Sequence, residues 1–344
     1  MADLPRFGPA GLAESYNGTT PEDIAAYTAS FGLGAFEYQC GHGVRLAPER
    51  AVRLGAACAE KDIALSVHAP YYISMSSMEE DKRLHSVEYI LQSCALVRAL
   101  GGRRVIFHPG SCGKQSREAA LEKAIDTMRR MVEAVDAAGY GDCVLCPETL
   151  GKLNQLGTLD EVLALCRVDP RITPCVDFGH LYARTHGGLT TRRDYEKILD
   201  GIAAALPDER ARRFHVHFSR IAYTAGGEKN HLTFADTQYG PPHAPLLTLL
   251  RERALAPVVI CESAGTQAED ARTLQEIYRG AAAADGAAGR ARAGPGGHLR
   301  ERGHPGRGRL HHAADVPCSA GFEKNFVISS CFLPKPLAKR QRIG

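Results

Sequence analysis

The feature that most constrains this chain is an alternation repeated eight times over roughly the first 280 residues. Short apolar runs rich in β-branched residues are each followed by a longer segment of helical periodicity. Such a pattern specifies βα units and a parallel sheet. The apolar runs fall near residues 5–9, 34–39, 63–68, 103–108, 143–148, 172–177, 213–218 and 257–262. The helical segments fall near 21–31, 47–61, 79–100, 117–138, 158–167, 191–205, 245–253 and 268–279. Thr158 and Glu161 have the spacing of a capping box at the head of the fifth helix, and Gly101 and Gly139 stand where helix-terminating glycines belong. Eight strands and eight helices in about 280 residues match the usual size of a (β/α)8 TIM barrel, an α/β fold expected to occupy residues 1–280. From residue 281 the composition turns to Ala, Gly, Arg, His and Pro without a sustained apolar period, which predicts a disordered tail over 281–344.

Composition narrows the class further. No apolar run of roughly 18 residues occurs, and the first residues, MADLPRFGPA, lack an apolar leader, so neither membrane spanning nor secretion is expected. The expected address is cytoplasmic, or nuclear in a eukaryote. The 11 cysteines are scattered over a long chain and read as free thiols. Cys143 and Cys146 lie at an odd offset within one predicted strand, which sends them to opposite faces as packing groups. Residues 281–344 hold 11 Lys/Arg against 4 Asp/Glu, leaving 31 against 35 in the first 280. The body is mildly acidic, so an anionic substrate has to be held by local groups and metal ions.

In TIM barrels the reactive groups come from the carboxyl ends of the strands. Here six successive strands end in a metal-ligand type: His68, His108, Glu148, Asp177, His217 and Glu262. His180 follows Asp177 by three residues, and His231 lies in the long seventh loop. Imidazoles with carboxylates suit zinc, with manganese or iron as alternatives, and eight ligands exceed what one four-coordinate ion uses. More than one ion is implied. His215, two residues below His217, reads as a core residue, and His42, His85, His186 and His243 as ordinary polar positions. Gly110-Ser-Cys-Gly-Lys114 and the segment Gly151-Lys152 with Asn154 and Gln155 are candidate phosphate loops, with Ser111, Gly113, Lys114 and Lys152 as the contacts. Their spacing is not that of a P-loop. Tyr71 and Tyr72 are placed to stack on a sugar or base.

The segments His68-Ala-Pro-Tyr71, Phe107-His-Pro-Gly-Ser111, Pro147-Glu-Thr149, Val176-Asp-Phe-Gly-His180, Val216-His-Phe-Ser219, His231 and Cys261-Glu262 resemble the endonuclease IV family, within the xylose isomerase-like barrels. The resemblance covers residues 1 to about 280. It implies three zinc ions. His68 and His108 would hold one, Glu148 would bridge it to a second, and Asp177, His217 and Glu262 would complete that second ion. The family's third ion takes the counterpart of His180 and an Asp-x-His pair. Here that pair reads Lys229-Asn-His231, so Glu228, Asp236 or the charge of Lys229 stands in for the aspartate, or only two ions bind. The first strand, Phe7-Gly-Pro-Ala-Gly11, and Ser219-Arg220 also depart from the family pattern.

The activity implied is that of a zinc-dependent hydrolase of the deoxyribonuclease IV type, cutting DNA at abasic sites. Glu148, Glu262, Lys229 and Tyr71 are its candidate catalytic residues, and two or three zinc ions, or manganese, its cofactors. The alternative is a divalent-metal sugar or sugar-phosphate isomerase or epimerase, in which Glu148 and Glu262 act as acid and base. The partner is accordingly abasic DNA or a small sugar phosphate, with no membrane involved. A barrel that binds without catalysis is the third class.

Overall fold

The structure, a computed structural model, describes residues 4–280. The tail expected over 281–344 lies outside the described residues. Among the described residues ten strands and ten helices run in the order β1 Arg6–Pro9, α1 Pro21–Ser30, β2 Ala35–Gln39, α2 Pro48–Glu60, β3 Ala64–His68, α3 Glu80–Ala99, β4 Arg104–Phe107, α4 Arg117–Ala137, β5 Val144–Pro147, α5 Leu159–Cys166, β6 Cys175–Asp177, α6 Phe178–Arg184, α7 Arg192–Ala205, α8 Glu209–Arg212, β7 His215–Phe218, β8 Arg220–Thr224, β9 Gly227–Leu232, α9 Ala244–Glu252, β10 Val258–Cys261 and α10 Gln267–Arg279.

Eight of the strands form two parallel arcs, β1-β10-β7-β6 and β2-β3-β4-β5. Parallel bridges between Ala10 and Glu37 and between Glu148 and Cys175 join the arcs at both seams, closing the TIM barrel. The eight predicted strands and eight predicted helices all have counterparts. The sixth strand is shorter than its apolar run, and Pro174, which has no N–H to give a ladder, stands immediately before it. The expected capping box is present: Glu161 N–H donates to Thr158 Oγ1 at 3.3 Å, and Thr158 N–H donates to Glu161 Oε2 at 2.9 Å.

The large apolar core lies between the strands and the helical ring, where Phe36, Phe107, Phe214 and Phe218 are fully buried. Cys143 belongs to that outer core, whereas Cys146 packs with Ile106 and Cys175 in a separate small cluster, as an odd offset requires. Glu37, Ser66, His215 and His217 are also fully or almost fully buried. A buried polar layer of this kind is tolerated only if its members satisfy one another.

Three elements were not legible as such in the sequence: α6, α8 and the antiparallel hairpin β8–β9. The hairpin is attached to the β5 loop, where Leu153 N–H donates to Gly226 O at 3.0 Å and Glu228 N–H donates to Gly151 O at 3.1 Å. A β-carbon at Gly227 would stand 2.2 Å from Gly151 O, so the close approach requires glycine there.

Candidate metal centre

At the carboxyl ends of the strands all eight predicted ligand residues converge. His68 closes β3, His217 belongs to β7, and His108, Glu148 and Glu262 each follow the last ladder residue of their strand. Asp177 ends β6 and caps α6: its Oδ1 accepts the His180 N–H at 2.7 Å. That cap leaves Asp177 Oδ2 buried with no hydrogen-bond partner.

Among the described residues the ligand atoms form four groups, within each of which they lie no more than 4.8 Å apart; three are at the mouth, namely His68, His108 and Glu148; Glu148, Asp177, His217 and Glu262; and His180, Glu228 and His231, and the fourth is Cys175, His215 and His217. Glu148 and His217 each belong to two of them. Glu148 Oε2 lies 3.2 Å from His68 Nε2 and 3.3 Å from His108 Nε2, while Oε1 lies 3.1 Å from His217 Nδ1 and 3.2 Å from His180 Nδ1.

Several imidazoles have their second nitrogen occupied. His68 Nδ1 sits 2.8 Å from Ala69 O and His180 Nδ1 sits 2.9 Å from Thr149 O. A carbonyl accepts only, so each Nδ1 donates to it and each Nε2 is the atom turned toward the group. His231 Nδ1 pairs with Ser219 Oγ at 2.8 Å.

The departure seen at Lys229 lies beside the third group. On β9, Glu228 stands opposite Tyr223 and Asn230 opposite Ala222, so Lys229 is the extra residue of a β-bulge. One inserted residue reverses the alternation of faces, which places Glu228 and His231 on the same side although their offset is odd. Glu228 Oε2 then lies 3.4 Å from His180 Nε2. Lys229, expected as a catalytic residue, is exposed and does not line the cavity over the ligand groups. Asp236 Oδ1 instead accepts from Gln238 and Tyr239 N–H.

The electrostatics fit divalent cations. Glu37, Glu148, Asp177, Glu228 and Glu262 crowd together with histidines, and no Lys or Arg is among the described ion-pair partners of these carboxylates. Buried anions of this density require counter-ions or coordinated metal. Burial pushes the Glu262 carboxyl up to about 8, reinforced by Glu148 and Asp177. Burial also opposes ionisation of Glu148, but His217 and hydrogen bonds from His108, His180 and His217 hold that carboxyl well below the usual range. Burial lowers His108, whereas for His180 and His217 the surrounding acids outweigh burial and raise both well above the ordinary value. The unsatisfied Asp177 Oδ2, the bridging Glu148 and this donor set together fit hard or borderline divalent ions.

A cavity of about 360 Å3 opens over the groups, bounded by Tyr71, Leu150, Lys152 and Gln155. It adjoins a cleft of about 590 Å3 along the β2–α2 loop, with Tyr71, His231 and Glu262 lining both. The Tyr71 ring lies 5.6 Å from His68 and 5.4 Å from His108, at the rim as expected. Tyr72 turns away toward His42 and Tyr89. Of the predicted phosphate contacts only Lys152 lines the cavity. Ser111, Gly113 and Lys114 are exposed outside it, because their loop is tied to its neighbours: Cys112 N–H donates to Asn154 O at 2.8 Å and Ser76 Oγ to Ser111 O at 2.6 Å. His215 is buried in the barrel as expected, with burial pushing it down to about 4. Sequence reasoning missed Glu37, whose only signal is an acidic residue at the centre of an apolar strand.

Barrel and ligand groups together define a (β/α)8 protein whose mouth can hold divalent metal. The chain belongs to the xylose isomerase-like TIM barrel family, whose model matches residues 25–281. It is 33% identical over 246 residues to an uncharacterized protein of Methanocaldococcus jannaschii, covering 72% of this chain and 87% of that one. It is 29% identical over 121 residues to a probable endonuclease 4 of Mycoplasma pneumoniae, covering 34% of this chain and 41% of that relative's length. Among solved structures, endonuclease IV from Thermus thermophilus matches with a TM-score of 0.57 at 21% identity, covering 80% of this chain and 98% of that one. A D-tagatose 3-epimerase-like protein matches with a TM-score of 0.60 at 18% identity, covering 81% and 99%. These two likenesses establish the shared fold. Among the described residues no helix is long and apolar enough to cross a membrane.

Proposed function

We propose that this chain is a metal-dependent phosphodiesterase that hydrolyses the DNA backbone at abasic sites, with zinc as cofactor in two or three ions per chain and manganese as the alternative. The observation that carries this reading is the third ligand group, His180, Glu228 and His231, set beside the two that share Glu148. A one-metal isomerase has no use for it. The partial likeness to endonuclease 4 of Mycoplasma pneumoniae supports the same reading.

His68 and His108, bridged through Glu148 to Asp177, His217 and Glu262, would hold two ions, and His180, Glu228 and His231 a third. When bound, such ions supply Lewis acidity and a sink for the negative charge that builds on a phosphodiester in its transition state. The protein's own groups do the rest. Ala69 and Thr149 carbonyls fix the His68 and His180 rings, so the ligand cage is organised before substrate arrives. Lys152 offers a cation at the rim for a flanking phosphate. Tyr71, half exposed beside His68 and His108, is placed to fill the space left by a missing base.

Elemental analysis of the protein, with cleavage of a duplex oligonucleotide carrying one abasic site, tests this. Two or three zinc ions and backbone scission are expected; an intact duplex at stoichiometric enzyme refutes the proposal. A second reading, sugar or sugar-phosphate isomerisation, is favoured by one observation. Glu148 and Glu262 stand in one ligand group at the mouth, two carboxylates placed as an acid and a base would be. A single bound ion with no nuclease activity would select it.

A further inference from the structure

Below the ligand groups lies a carboxylate that the proposed chemistry does not use. Glu37, on β2, is fully buried. Its Oε2 accepts from Ser66 Oγ at 2.8 Å and faces His215 Nε2 at 3.0 Å. Its Oε1 accepts from Gln39 Nε2 at 3.1 Å and lies 3.0 Å from His217 Nε2, off the N–H axis. His217 links this layer to the mouth, for its other nitrogen, Nδ1, hydrogen-bonds to Glu148 Oε1 at 3.1 Å and lies 3.5 Å from Glu262 Oε1, contacts that a bound ion would take over.

A neutral imidazole has one N–H and one lone pair. Only if Nε2 carries the proton can Nδ1 serve as a ligand in the group of Glu148, Asp177 and Glu262. With an ion at Nδ1 in place of the hydrogen bond to Glu148, the buried anion beside Nε2 favours that tautomer, and an anion tied by Ser66 and Gln39 cannot swing away to become a ligand itself. We propose that Glu37 is a positioning residue of the metal centre, holding His217 with its proton on Nε2 so that Nδ1 is presented to the ion shared with Glu148, Asp177 and Glu262. The inference rests on the metal centre proposed above and not on the substrate assigned to it. Cys175, which stands near His215 and His217, is the rival partner for Nε2.

The experiment is zinc binding by the metal-stripped full chain, measured by chelator competition for wild type, Glu37→Gln and Cys175→Ala, with melting of the metal-free proteins as the folding control. Loss of a carboxylate partner of a ligand histidine weakens binding by roughly ten- to a hundred-fold. Glu37→Gln should show that loss at one ion while the others load as in wild type, and Cys175→Ala should bind as wild type. Because Glu37→Gln could fail to fold, long-range proton–nitrogen spectra of zinc-loaded wild type provide a second readout, with the His217 proton expected on Nε2. A proton on Nδ1, unchanged affinities in a folded Glu37→Gln, or an equal loss in Cys175→Ala would each overturn the proposal. A wild type that binds no zinc would instead overturn the metal centre itself, and this role with it.

Discussion

Replacing Gly227 by alanine tests how the third ligand group is delivered. The added β-carbon would stand 2.2 Å from Gly151 O and 3.1 Å from Lys152 Cα, both backbone atoms that cannot rotate aside. Ordinary contact begins at 3.4 Å, so the hairpin β8–β9 has to withdraw by about 1.2 Å. Glu228 is the next residue and moves with it. Metal–ligand distances tolerate only about 0.2 Å, so a shift of that size removes Glu228 from His180 and His231. The φ of +92° adds strain for any residue with a β-carbon, roughly 1–2 kcal/mol, which lowers the melting temperature by only about 2–8 °C. The expected result is a folded protein that retains one zinc ion fewer per chain than wild type after desalting against a weak chelator. Gly226→Ala is the control, since its nearest neighbour is Thr224 Oγ1 at 3.8 Å. Gly227→Ala that keeps every ion at wild-type affinity would refute the argument that the glycine contact sets the third group.

His108→Ala removes a ligand of the first group, and abasic-site cleavage should fall at least about a hundred-fold, the scale of losing one transition-state stabilising group, with circular dichroism unchanged. Lys229→Ala should leave zinc content and cleavage rate as in wild type, because the exposed bulge residue lies away from the cavity; its stability should shift by less than about 0.5 kcal/mol in chemical denaturation. Glu161 is almost fully buried, and although burial opposes its ionisation, Arg117 and the Gly157 and Thr158 N–H groups hold its carboxyl below the ordinary value. A depressed carboxyl contributes stability that is present above its unfolded pKa and lost as pH falls through the folded one. Glu161→Gln should therefore cost about 1.5–3 kcal/mol at pH 7, with the gap to wild type closing in acid; a gap constant down to acid denaturation would contradict this. Adding zinc to stripped wild type should raise its melting temperature in a concentration-dependent way, since the ions bind only the folded mouth.

The barrel was legible because each strand has a period of two and each helix one of 3.6, and the chain repeats that contrast eight times. Ligand types at six successive strand ends were legible for the same reason: a barrel gathers its strand ends at one mouth, so position along the strand reports position in space. His68, His108, Glu148, Asp177, His217 and Glu262 needed no tertiary information to be grouped. Where the loop of Ser111, Gly113 and Lys114 would stand was not legible, because whether backbone N–H groups face a cavity depends on contacts with Asn154 and Ser76 from other loops. Glu37 was invisible, since one acid within Ala35–Gln39 acquires meaning only when His215 and His217, nearly 180 residues away, are folded against it. Glu228 is the sharpest case. Its offset of three from His231 excludes a shared face on a regular strand, and only the bulge at Lys229, made when the hairpin pairs and lies on Gly151, reverses that parity. Local periodicity thus determined the fold and the strand-end candidate ligands, while long-range pairing decided which acid joins the third candidate group and which buried carboxylate stands behind His217.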